Sequence, residues 1–106
     1  MKRITYRKLV RDRIPEIIES SGCKAMYQQL SSQDKLPYLQ EKLKEEMSEY
    51  LESSSLEELA DILEVIHGIV DHQGYTWDDL EAIRLHKRLE RGGFEESILL
   101  MEVIEP

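Results

Sequence analysis

Residues 45–61 read EEMSEYLESSSLEELAD. Three serines, Ser53, Ser54 and Ser55, separate two segments in which apolar residues recur every three or four positions. Upstream, Leu36, Leu39, Leu43, Met47, Tyr50 and Leu51 predict a helix from about Asp34 to Glu52, with Pro37 accommodated in its first turn. Downstream, Ser55 followed by Glu58 has the pattern of a capping box and starts a second helix, which runs to about Gln73 and stops at Gly74. So short a connection requires the two helices to pack antiparallel. With the turn centred between residues 53 and 54, position 49 stands level with 58, and 46 with 61. Residues three apart share a helix face. The pairs Glu46/Glu49 and Glu58/Asp61 therefore face each other at matched heights.

Working outward, residues 13–21 suit a short helix, with Pro15 near its first turn and Gly22 beyond its end. Thr76 with Asp79 is a second cap, opening a helix through about Glu90 that ends at Gly92 and Gly93. The helix after the serines is apolar around most of its circumference (Leu59, Ala60, Ile62, Leu63, Val65, Ile66, Ile69, Val70), the pattern of a central, buried element that carries Asp61 inside. Lys24–Leu30 and the Ile/Leu/Val-rich Ser97–Ile104 suit two strands that could pair. The expected fold is mainly α: an antiparallel bundle of three main helices, a short N-terminal helix and a minor two-stranded sheet, in one domain over residues 1–106.

Composition narrows the function. Lys plus Arg number 14 and Asp plus Glu 22, a net charge of −8, which disfavours binding to polymeric nucleic acid. A single cysteine, Cys23, excludes an internal disulfide framework and a thiolate zinc cluster, and a reducing cytoplasm is the expected compartment. No apolar run is long enough to span a membrane, and residues 1–20 carry acids and a proline where a signal peptide has its apolar core. The charge is segregated. Ten of the 14 cations lie in residues 2–13 and 84–91, whereas residues 41–64 hold nine acids against Lys42 and Lys44.

Four ionised carboxylates brought close repel one another, and a hard divalent cation relieves the repulsion. Ligation by oxygen alone suits Mg²⁺ or Mn²⁺. No His follows either acid pair at the spacing of di-iron bundles. Two bland readings compete: a solvated acidic helix face, and a Glu58 fully explained by its capping box.

The pattern Glu46-x-x-Glu49 followed by Glu58-x-x-Asp61 resembles the paired motif of the all-α nucleoside triphosphate pyrophosphohydrolases, the MazG-like superfamily, which includes phosphoribosyl-ATP pyrophosphohydrolase and the all-α dUTPases. Lys8–Pro15 (KLVRDRIP) and Arg91–Phe94 (RGGF) look like a subgroup of predicted house-cleaning pyrophosphatases for non-standard nucleotides. The resemblance implies metal ligands at Glu46, Glu49, Glu58 and Asp61, with Mg²⁺ as cofactor (Mn²⁺ as its substitute). It also implies a further ligand or water-activating group at Glu45, a nucleotide substrate, and a homo-oligomer, dimer or tetramer. The eight residues between Glu49 and Glu58 make a shorter connection than many relatives have.

On these grounds the expected activity is Mg²⁺-dependent hydrolysis of a nucleoside triphosphate, one with a non-canonical base included, to monophosphate and pyrophosphate. The alternatives are phosphoribosyl-ATP as substrate, and a non-catalytic helical interaction protein. Neighbours on a helix point about 100° apart. Glu46 lies at the flank of the apolar stripe and suits direct ligation, while Glu45 points nearly away and suits the catalytic task of orienting or deprotonating water. Lys8, Arg11 and Arg13 precede a helix N-terminus, and Lys87, Arg88 and Arg91 follow one another on a helix with Arg84. Both groups are candidate phosphate contacts. His67 suits packing, and Trp77 and Phe94 suit either the core or base stacking.

Overall fold

The computed structural model describes residues 1–106 and contains four helices: α1 (Ile14–Ser20), α2 (Ser32–Ser53), α3 (Leu56–His72) and α4 (Trp77–Arg91). The local signals account for their ends. Thr76 and Asp79 form a complete capping box, Asp79 N donating to Thr76 Oγ1 at 3.1 Å and Thr76 N to Asp79 Oδ2 at 2.8 Å. Gly74 and Gly92, at φ 84° and 83°, take the left-handed conformation that lets the chain leave α3 and α4. Helix α2 begins at Ser32, earlier than its apolar stripe suggests. Pro37 consequently sits beyond the first turn, where its ring leaves the Gln33 carbonyl without a helical partner.

The serine turn is built from its own side chains. Ser54 adopts φ 53° and donates its N–H to Tyr50 O at 2.7 Å, closing α2. Ser55 caps α3 by accepting from Glu58 N at 3.3 Å. The reciprocal half of the expected capping box is not made. The Ser55 N–H goes to Ser53 Oγ at 3.2 Å, and the Glu58 carboxylate is left for other partners.

Helices α2 and α3 pack as the antiparallel hairpin, and α4 packs on α3, so α3 is central. It is not buried. Leu39 (5% exposed), Val65 (8%) and Glu46 (6%) are the enclosed residues of the whole chain. On α3, Leu56, Leu59 and Leu63 stay exposed on a face turned from α2, as do Met47 and Leu51 on α2. Asp61 keeps 39% of its side chain exposed instead of lying inside. The radius of gyration is 18.9 Å, against about 13 Å for a compact domain of this length.

The expected two-stranded sheet is absent: residues 24–30 and 97–104 form no strand and make no backbone hydrogen bonds with each other. An isolated two-stranded ladder gains too little burial to be stable alone, and neither segment has a helix covering one face of it. Ile98, Leu99, Leu100, Met101, Val103 and Ile104 are all exposed.

On α3, Gly68 faces Leu39 of α2, and an added Cβ would come within 3.2 Å of Leu39 Cδ2. In the wild type, Gly68→Ala should change stability little, because that contact offsets the gain in helix propensity of about 1 kcal/mol. In a Leu39→Ala background the space is open, and the same change should stabilise by about 1 kcal/mol. Urea denaturation of the four proteins of this cycle measures the difference, and additive effects would mean that the two residues do not meet.

Candidate metal centre

The hairpin brings together three of the four acids expected to act as a unit. One carboxylate oxygen from each of Glu46, Glu58 and Asp61 lies within 4.8 Å of the other two. Glu46 comes from the middle of α2, and Glu58 and Asp61 from consecutive turns of α3 at the matched heights. Glu58 is free to join because the serine turn satisfies the Ser55 N–H. Glu49 lies outside this triad and is exposed, yet close enough that the charge of Glu46 raises its pKa.

Two buried oxygens, Glu46 Oε2 and Glu58 Oε2, have no hydrogen-bond partner. An enclosed carboxylate oxygen without a partner is costly. Lys42, whose side chain is 16% exposed, reaches Glu46 Oε1 and Glu45 Oε2, each at 3.2 Å, and compensates one side of the cluster. The orphaned oxygens mark the other side. A donor set of carboxylate oxygens alone is what hard divalent cations take, so the group can hold a metal ion, and the residues present fit one.

The protonation of the cluster reflects this crowding. Glu58 is pushed up to about 7, first by desolvation and then by the neighbouring carboxylates of Glu46, Glu49 and Asp61. Glu45 moves the other way. Desolvation raises it, but hydrogen bonds from Lys8 at 2.9 Å and Lys42 at 3.2 Å together prevail, and its pKa is lowered. A carboxylate held by two cations is a weak proton acceptor, although it remains able to orient water.

The expected phosphate contacts divide into two groups. Lys8 binds Glu45, and Arg11 binds Asp61 Oδ1 at 2.7 Å, so both stand at the acidic cluster. Arg13 pairs locally with Glu16 at 3.4 Å and Arg88 with Glu95. Neither of these, nor Lys87 or Arg91, has an ion pair with the cluster. His67 stacks on Trp77 with ring centroids 5.5 Å apart, and Phe94 is almost fully exposed. Lys42 was not among the sequence candidates, although its spacing to Glu45 and Glu46 on one helix was a usable signal. A cavity of about 290 Å³ is lined by Arg7, Lys8, Leu9, Tyr38 and Lys42 together with two acids, Glu41 and Glu45. Comparison of the chain with models of protein families, with curated proteins and with solved structures gives no match in any of the three.

A carboxyl whose native pKa exceeds its unfolded value binds its proton more tightly when folded. Its contribution to stability is complete below the unfolded value and is lost as pH rises through the native one. For Glu58 that window runs from 4.5 to about 7. In EDTA, thermal stability should therefore fall between about pH 5 and about pH 8, and Glu58→Gln should flatten the slope and raise the melting temperature at the alkaline end. Melting curves across this range check it, and an unchanged slope in Glu58→Gln would place the titration elsewhere.

Proposed function

We propose that the protein is a divalent-cation-dependent hydrolase that splits a nucleoside triphosphate between its α- and β-phosphates, releasing monophosphate and pyrophosphate. The observation that carries this reading is the triad Glu46, Glu58 and Asp61 with two buried, unpartnered oxygens, set across an antiparallel helix pair. The resemblance of the acid pattern and of KLVRDRIP to the MazG-like enzymes supplies the substrate class.

Glu46, Glu58 and Asp61 would hold Mg²⁺, or Mn²⁺ in its place, and Glu49 is near enough to join them. When bound, the ion polarises a phosphate and lowers the pKa of water. Glu45, fixed by Lys8 and Lys42, has the part of orienting that water. Its lowered pKa weakens it as a proton acceptor, so its main contribution is positional. The cavity beside it presents Arg7, Lys8 and Lys42 to the polyphosphate, where cations stabilise the charge that moves onto the leaving pyrophosphate. Arg11, Arg13, Lys87, Arg88 and Arg91 remain phosphate contacts in this proposal, Arg11 being the one at the cluster already. We place the protein in the cytoplasm. No helix is long and apolar enough to cross a membrane.

A homo-oligomer, dimer or tetramer, belongs to the same reading. Two enclosed apolar side chains make a thin core, while Leu56, Leu59 and Leu63 form an exposed stripe on α3 at helical spacing. Association would cover that stripe and leave the acids on the other face of the helix. Light scattering should give a mass above that of one chain.

Millimolar Mg²⁺ or Mn²⁺ should raise the melting temperature, because an ion that binds the native state alone stabilises it by mass action. Asp61→Asn and Glu46→Gln should abolish the increment and pyrophosphate release together. Glu45→Gln should keep most of the metal binding while turnover falls by roughly 10²-fold, the scale of losing a group that positions the reacting water. Equal melting temperatures in Mg²⁺ and in EDTA would remove the metal site. A metal-induced increment with no pyrophosphate released from any nucleotide, phosphoribosyl-ATP included, would favour a non-catalytic helical protein.

A further inference from the structure

Two side-chain hydrogen bonds in the molecule join residues far apart in sequence, Lys8 to Glu45 and Arg11 to Asp61. Both run from the N-terminal segment to the acidic cluster. Residues 1–10 make no backbone hydrogen bond, and α1, which follows, packs against none of the other helices. Apart from the half-buried Leu9 and Val10, the segment is tied to the hairpin through these two ion pairs, one on each helix. The cations it contributes sit on acids of the cluster. Arg11 in particular occupies an oxygen of Asp61, a member of the triad whose Glu46 and Glu58 oxygens are unpartnered.

We infer that residues 1–13 form a strap held by Arg11 as a resident counter-ion, and that a divalent cation entering the triad displaces Arg11 from Asp61 and loosens the strap. This rests on the metal-site reading above. A guanidinium and a divalent ion on one carboxylate repel each other across a few ångströms, and the ion gains three oxygen donors where Arg11 has one. The exchange loosens the tether of α1 and frees a guanidinium beside the metal for an anionic ligand. Lys42, fixed on α2, stays behind to compensate Glu46. The ion pair is half-exposed, which keeps it weak enough to be exchanged.

Tryptic cleavage after Lys8 reads the strap directly, since the rate follows the population of the open form. The full chain is digested with and without saturating Mg²⁺, with a synthetic peptide of residues 1–13 correcting for any effect on the protease, and Mg²⁺ binding is measured separately by calorimetry. Mg²⁺ should raise the cleavage rate about two- to fivefold, the range set by an exposed ion pair. Arg11→Gln should be cleaved at the raised rate in EDTA, should show no further rise with Mg²⁺, and should bind Mg²⁺ more tightly by a similar factor, whereas Arg11→Lys should retain part of the wild-type response. Calorimetric binding with unchanged or slower cleavage overturns the strap and leaves the metal site standing. No binding of Mg²⁺ or Mn²⁺ overturns both.

Discussion

Glu46 occupies one of the three enclosed positions of the chain, with one carboxylate oxygen on Lys42 and the other without a partner. A leucine there would enlarge the thin core and stabilise the hairpin. An ionised carboxylate does the opposite unless positive charge reaches it. The other polar features of the hairpin can be understood from that constraint. Lys42 lies one turn back on the same helix, Arg11 and Lys8 come in from the N-terminal segment, and Glu58 holds its proton to about pH 7. Each lowers the negative charge around one enclosed carboxylate, and none of them satisfies its second oxygen. Placing acids where a core would otherwise form weakens the fold, and this chain has little other burial to compensate.

The segregation of charge along the sequence takes on a spatial meaning here. The basic N-terminal segment lies across the acidic middle of the chain, and two of its cations meet acids from different helices. The second basic cluster behaves differently. Arg84 binds Glu81 and Arg88 binds Glu95, both neighbours in sequence, so α4 largely neutralises its own surroundings. The same local density of cations thus gives a long-range tether in one case and a self-contained helix in the other.

Much of the fold was legible from local chemistry. Ser55, Thr76, Gly74 and Gly92 mark helix ends because caps and left-handed residues act within a few positions of where they stand. The matched heights of Glu46 with Asp61 and of Glu49 with Glu58 followed from turn length alone, and three of those acids do meet. What could not be read was set by partners distant in sequence. The sheet expected of Lys24–Leu30 and Ser97–Ile104 depended on a pairing that neither segment specifies by itself. The burial expected of Asp61 failed because apolar residues around a helix need neighbours on every side, and α3 has them on two. The destination of Lys8 and Arg11 had no local signature, whereas Lys42 had one in its spacing to Glu45 and Glu46.

The serine turn has a consequence for how this chain can vary. Loops are ordinarily where insertions and deletions are tolerated, since little depends on their length. Here the turn sets the register of two helices and also takes up the amide that would otherwise bind Glu58. One added residue would shift α3 by about 1.5 Å and swing its faces by about 100° against α2, carrying Glu58 and Asp61 away from Glu46. A change of one residue between Glu49 and Glu58 therefore takes the arrangement apart with all four acids still present. In this hairpin the length of the turn, as much as any side chain, decides whether the acids meet.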